Sequence, residues 1–121
     1  MLFRSALAAI RETAAIRREL AERDPATHAP ALAPCLHRLA KRLAEAGHRG
    51  ESLETAREAV VAYRSLVRRR PEDFSRGLAG ALRTYASVLE WAGGEADAAR
   101  IRQESEAATE QRALEASIRG F

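Results

Sequence analysis

The sequence predicts an all-α protein of five helices stacked as antiparallel hairpins, and three observations carry that prediction. Residues 32–47 and 78–93 are near-copies at an offset of 46 residues, which places Leu32, Leu36, Leu39, Ala40, Leu43 and Gly47 on Leu78, Leu82, Tyr85, Ala86, Leu89 and Gly93. The same offset carries Leu20 onto Leu66 and Pro25 onto Pro71. A repeat of that length that keeps its apolar positions is the mark of an array in which each unit buries its face against the next. Second, aromatic residues make up only 5% of the chain, so the core must come from Leu, Ile, Val and many Ala. Alanine favours helix and lets helices approach closely. Third, Gly and Pro fall mainly between the periodic stretches, where helices end.

Each element follows from its apolar period. The first helix, about residues 2–23, carries Phe3, Leu7, Ile10 and Ala14 on one face, passing to Ile16 and Leu20. Asp24-Pro25 ends it, because the residue before a proline is pushed out of the α region. The second, about 30–46, has Leu32, Leu36, Leu39 and Leu43 in alternating steps of four and three. Gly47 and Gly50 bracket the following turn. The third, about 51–69, has Leu53, Ala56, Val60, Tyr63 and Val67 on one stripe, widened by Ala59 and Leu66. Pro71 opens the next connection and Ser75 is the expected N-cap of the fourth helix, about 76–92, striped by Leu78, Leu82, Tyr85 and Leu89. Gly93-Gly94 closes it. The fifth, about 95–118, changes character: its apolar residues are sparse, and Ala99, Arg102 and Glu106 stand where the third helix has Leu53, Ala56 and Val60. A polar outermost helix is what the end of a repeat stack needs.

The first helix matches the third under the same offset, so the chain reads as one helical-repeat domain over 1–121. A half repeat (1–24) precedes a full repeat (25–70), and a second full repeat (71–121) ends in a degenerate capping helix. Within each hairpin the spacing resembles the tetratricopeptide repeat. Leu36, Leu39, Ala40 and Leu43, and Leu82, Tyr85, Ala86 and Leu89, fit its pattern of large residues with one small residue early in helix A. A glycine follows at the turn (Gly47, Gly93), then small residues in helix B (Ser52, Ala56, Ala59; Ala98). The unit is longer than usual for that family and looks like the longer bacterial variant. The resemblance implies a concave groove lined by the A helices that holds a peptide or partner helix. Carried onto this chain, the groove positions are Pro34, His37, Arg38 and Lys41 on the second helix and Gly80, Arg83, Thr84 and Ser87 on the fourth. Such a groove is basic and suits an acidic or C-terminal carboxylate ligand.

Composition narrows the remaining classes. The net charge is +3, with nine basic and five acidic residues in 1–50 and eleven and twelve in 51–121. Lys41 is the only lysine. Cys35 is the only cysteine, so no intramolecular disulfide forms, and a buried structural thiol is expected there. The N-terminal apolar run is broken by Arg4 and is too short for a membrane span or a secretory signal, which makes a soluble cytoplasmic protein the expectation. His28, Cys35, His37 and His48 lack zinc-ligand spacing, and residues two apart on a helix point in different directions. The sequence has no phosphate-binding glycine loop and no His-Glu-x-x-His motif, so no catalytic role, metal or cofactor is expected. Arg68-Arg69-Arg70 opposes the macrodipole at a helix C-terminus, and Glu72 and Asp73 blunt it as a phosphate-binding patch.

These readings predict a non-catalytic protein-interaction module or scaffold. The alternative is an Arg-rich helical nucleic-acid-binding or regulatory protein, which needs several phosphate contacts on one face. Trp91 replaces the repeat's Glu45, which should be exposed; it stands either at the surface as a binding residue or packed on the fifth helix. The face of Phe3, Leu7, Ile10, Ile16 and Leu20 is wider than one neighbouring hairpin covers. The helix folding back on the second and third helices, two chains pairing through it, or a longer array would each cover it. A homodimer through the first helix is favoured, because two copies of one apolar face form a closed two-fold contact.

Overall fold

A computed structural model of the chain describes residues 5–120. They form five helices, α1 (Ala6–Arg23), α2 (Pro25–Glu45), α3 (Arg49–Arg69), α4 (Pro71–Trp91) and α5 (Glu95–Arg119), with no strand among the described residues. Each helix packs antiparallel on its chain neighbours, and α2 also touches α4, so the even-numbered helices form one layer and the odd-numbered ones the other.

The connections repeat as faithfully as the core. Asp24 and Arg70, 46 residues apart, share one non-helical conformation (φ −146°, ψ 81° and φ −142°, ψ 76°) and serve as single-residue hinges between helices. Asp24 caps both sides: its N–H donates to the Leu20 carbonyl and its carboxylate accepts from the Thr27 N–H. Thr27, through its side chain first and this N–H second, holds the carboxyl below the ordinary range. At the opposite end, Gly47 and Gly93 adopt φ +84° and +90°. This left-handed geometry costs an L-residue about 1–2 kcal/mol. It lets the His48 N–H reach the Leu43 carbonyl, as the Gly94 N–H reaches Leu89.

Helix starts differ from the sequence reading. α2 and α4 begin at Pro25 and Pro71, not near residues 30 and 76. A proline in the first turn loses only an N–H that would have no helical partner. Ser75 is therefore inside α4 and donates to the Pro71 carbonyl at 2.6 Å rather than capping. Pro30 and Pro34 also lie within α2, where no break occurs. Gly50 belongs to α3, so Gly47 alone marks that turn. The N-cap of α1 is Ser5, whose hydroxyl accepts from the Ala8 N–H at 3.0 Å.

Leu36, Leu39, Leu43, Val60 and Leu82 are fully buried and form the central core with Tyr63, Leu66 and Leu78. Ala40 and Ala86, at the predicted small positions, have no exposed surface. Their small side chains bring backbones close enough for the Ser52 hydroxyl to donate to the Ala40 carbonyl at 2.8 Å. Cys35 is half-buried against this core rather than enclosed by it.

On the outer layer, Arg18 donates twice to Glu58 (2.7 and 2.7 Å). One repeat later Arg64 does the same to Glu104 (3.3 and 2.6 Å). Arg11 adds a third forked pair with Glu51, and this bond holds the Glu51 carboxyl below its usual value. The rule is arginine to glutamate one repeat on and six residues back, which ties successive odd-numbered helices in register.

The predicted α1 face divides. Leu7 and Ile10 are half-buried against the core and Ala14 is fully buried. Ile16 and Leu20 remain 53% and 37% exposed. Phe3 lies outside the described residues. On α5, Arg102, Ser105, Glu106 and Thr109 occupy the positions that α3 fills with the buried Ala56, Ala59, Val60 and Tyr63. Among the described residues no helix is long and apolar enough to cross a membrane.

Candidate functional site

The groove begins where α2 and α4 meet. A Cβ added at Gly80 would stand 3.4 Å from Cε1 of His37, so the imidazole lies against the α4 backbone in space a larger residue would narrow. One turn further along α4, the Thr84 hydroxyl is 2.7 Å from His37 Nε2. This side-chain bond joins the two inner helices directly. Beyond it opens a hollow of about 420 Å³ lined by His37, Lys41, Ala44 and Glu45 of α2 and by Gly80, Arg83, Thr84, Ser87, Val88 and Trp91 of α4.

Two further hollows share its walls. The first, about 330 Å³, lies on the α2 side over Pro34, His37, Arg38, Lys41, Arg42 and Glu45. The second, about 450 Å³, lies between α4 and α5 over Arg83, Ser87, Arg102, Ser105, Glu106, Thr109 and Glu110. His37, Lys41 and Glu45 are common to the first pair, and Arg83 and Ser87 to the second. The three therefore make one continuous trough across α2, α4 and α5.

Its centre is cationic. Lys41 and Arg83 reach it from opposite helices, and the one acid there, Glu45, is held by Arg42 at 3.0 Å. Burial pushes the His37 pKa below its ordinary value, and the neighbouring Lys41 and Arg83 charges push it the same way. Both effects favour the neutral ring. The α5 end differs: Glu106 and Glu110 face it, while Arg102 is paired with Glu90. Trp91 stands at the mouth, 39% exposed, with the Arg49 guanidinium 4.7 Å from the ring centroid. A cation over an exposed indole face contributes about 0.5–1 kcal/mol and fixes the ring's orientation.

Each candidate groove residue read from the sequence lines this trough, whereas the α1 residues Leu7, Ile10, Ile16 and Leu20 do not. His37, Lys41, Gly80, Arg83, Thr84, Ser87 and Trp91 line its centre, and Pro34 and Arg38 the α2 end. Trp91 lines the central hollow and is partly exposed there. The sequence reading missed Ala44 and Val88, although Ala44 lies seven residues beyond His37 and Val88 four beyond Thr84, both helical spacings that share a face. It also missed Arg49, for which no sequence signal exists, and the whole α5 wall. Among the described residues no group of three or more His, Cys, Asp and Glu could hold a metal ion. Comparison with known proteins finds no matching family model, no matching curated protein and no matching solved structure.

Proposed function

We propose that the chain is a non-catalytic interaction module of tetratricopeptide-repeat type, holding an acidic peptide or partner helix in the trough across α2 and α4. One observation carries the reading: contiguous hollows place two cations, Lys41 and Arg83, beside an apolar patch of Ala44, Val88 and Trp91. An occupant with carboxylates next to an apolar side chain matches both. The shared 46-residue spacing of core and turns supports the family resemblance. A protein partner fits better than nucleic acid, because Arg11, Arg18, Arg42, Arg64, Arg70, Arg100, Arg102 and Arg119 each sit beside a carboxylate of the chain itself. Phosphate binding needs several uncommitted cations on one face, and the trough sets Arg38, Lys41 and Arg83 beside an apolar patch instead of a row of further cations. The reading extends to a cytoplasmic protein, since its one cysteine calls for no oxidising compartment, and to self-pairing through Ile16 and Leu20.

Trp91 is the chain's only tryptophan, so its fluorescence reports on the groove alone. Titration with a capped Leu-Glu-Glu-Leu peptide should change that emission. The double reversal Lys41→Glu with Arg83→Glu should weaken binding at least about tenfold, which is 1.4 kcal/mol, with helicity and melting temperature nearly unchanged. Binding that survives the reversal would place the ligand on another face.

A further inference from the structure

We propose that His37 couples proton uptake to ligand binding in this trough: a carboxylate seated between Lys41 and Arg83 favours the protonated imidazole, so acidic ligands bind more tightly as pH falls below neutrality. The inference rests on the groove reading above and adds to it a regulation by pH.

The geometry supplies each requirement. His37 is held by its bond to Thr84 at 2.7 Å, with its ring beside Gly80. The charges around it are defined. Lys41 follows one turn on along its own helix, Arg83 comes from α4, Glu45 stands two turns on beside Arg42, and Arg38 shares the outer hollow. α3 sends Arg49 only to Trp91 at the far mouth, and α5 contributes nothing to the central lining.

In the free groove, burial and the two neighbouring cations disfavour a third positive charge. A docked carboxylate reverses the sign of that local field. Its negative charge offsets Lys41 and Arg83, and the ring can then take a proton from solvent. The bond to Thr84 survives the change, because a hydroxyl either donates to a neutral ring nitrogen or accepts from a protonated one. Protonation therefore changes charge without breaking the tie between α2 and α4. By reciprocity, whatever the ligand does to proton affinity, the proton does to ligand affinity.

The test uses the whole chain and the capped Leu-Glu-Glu-Leu peptide, with Trp91 emission as the binding signal. Between about pH 8 and pH 5.5 the probe's glutamates stay ionised. The affinity should rise about fivefold over that range, the lower end of usual site-to-site coupling. The His37 ring resonances in NMR should titrate at higher pH when the peptide is saturating. In His37→Gln the pH slope should vanish, whatever that variant's affinity at the alkaline end. Peptide binding with an unmoved His37 titration, or with a slope that persists in His37→Gln, would overturn the coupling and leave the groove reading standing. No binding at any pH would overturn both.

Discussion

Replacing Gly77 with alanine sets two effects of known size against each other. Gly77 lies inside α4, and glycine in a helix interior costs about 1 kcal/mol relative to alanine. Propensity alone therefore predicts a stabilised protein. The structure predicts the opposite. A Cβ at Gly77 would fall 2.8 Å from Cζ of Tyr63, 3.0 Å from Cδ1 and closer still to Cε1. The ring must move, yet Tyr63 is only 6% exposed and belongs to the central core. Swinging it into water would forfeit roughly 2 kcal/mol of apolar burial, and forcing it deeper overpacks the core at about 1–3 kcal/mol. The net expectation is a loss of about 1 kcal/mol, or roughly 4 °C in melting temperature for a chain of this size. Urea denaturation followed by far-UV circular dichroism measures it. Gly50→Ala in the first turn of α3 is the control, since nothing stands within 4 Å of its added Cβ; it should gain up to about 1 kcal/mol. In a Tyr63→Leu background the Gly77→Ala change should turn favourable. Gly77→Ala more stable than the parent would refute the argument, because the ring would then have room that the packing denies it.

Two further perturbations test the stacking. Ala40→Leu should cost about 1–3 kcal/mol by overpacking the fully buried contact with α3, and an unchanged urea midpoint would mean the small residue is not where helices touch. Arg18→Ala and Arg64→Ala should each cost under about 1 kcal/mol, because these forked pairs are more than a third exposed, and less still in high salt; salt-independent losses would mean the arginine stems, not the charges, hold the outer helices.

The residues that were legible in the sequence are those whose position alone decides their role. Leu36, Ala40, Leu43, Leu82, Ala86 and Leu89 lie on a stripe that repeats, and all are buried. Gly47 and Gly93 end helices at equal spacing because only glycine takes that backbone cheaply. Helix starts were misread because proline is ambiguous. The local rule that the preceding residue leaves the α region holds at Asp24 and Arg70, but the proline itself opens the next helix at once. The outer ion pairs were half visible: Arg18 and Arg64, and Glu58 and Glu104, each recur at 46 residues. Which glutamate each arginine meets depends on the tilt between hairpins. The groove's α2 and α4 walls followed from register. Its α5 wall and the Arg49–Trp91 stack required the turn geometry, which places the start of α3 beside the end of α4.

The two ends of the stack differ chemically, and that difference decides how copies can associate. On α5, the positions that α3 buries have become Arg102, Ser105, Glu106 and Thr109, and Arg102 and Ser105 already bond Glu90 and the Ala79 carbonyl. Glu110 stands where the ladder arginines Arg18 and Arg64 stand, so the outer rung cannot extend to another helix of the same kind. Head-to-tail stacking of α5 on the α1 of a second copy would take the Glu106 carboxylate and the exposed Arg102–Glu90 pair out of water, and charged groups are costly to desolvate. The α1 face carries no such cost, since Ile16 and Leu20 are apolar and exposed. Association should therefore close on itself through α1 as a two-fold dimer and not grow into chains. Ile16→Glu is the suitable probe; Leu7, packed into the core, would report unfolding instead. Sedimentation velocity at high micromolar concentration should show a dimer that Ile16→Glu returns to monomer with its melt intact. A parent protein that stays monomeric there, or that forms larger species of open-ended size, would contradict the pairing.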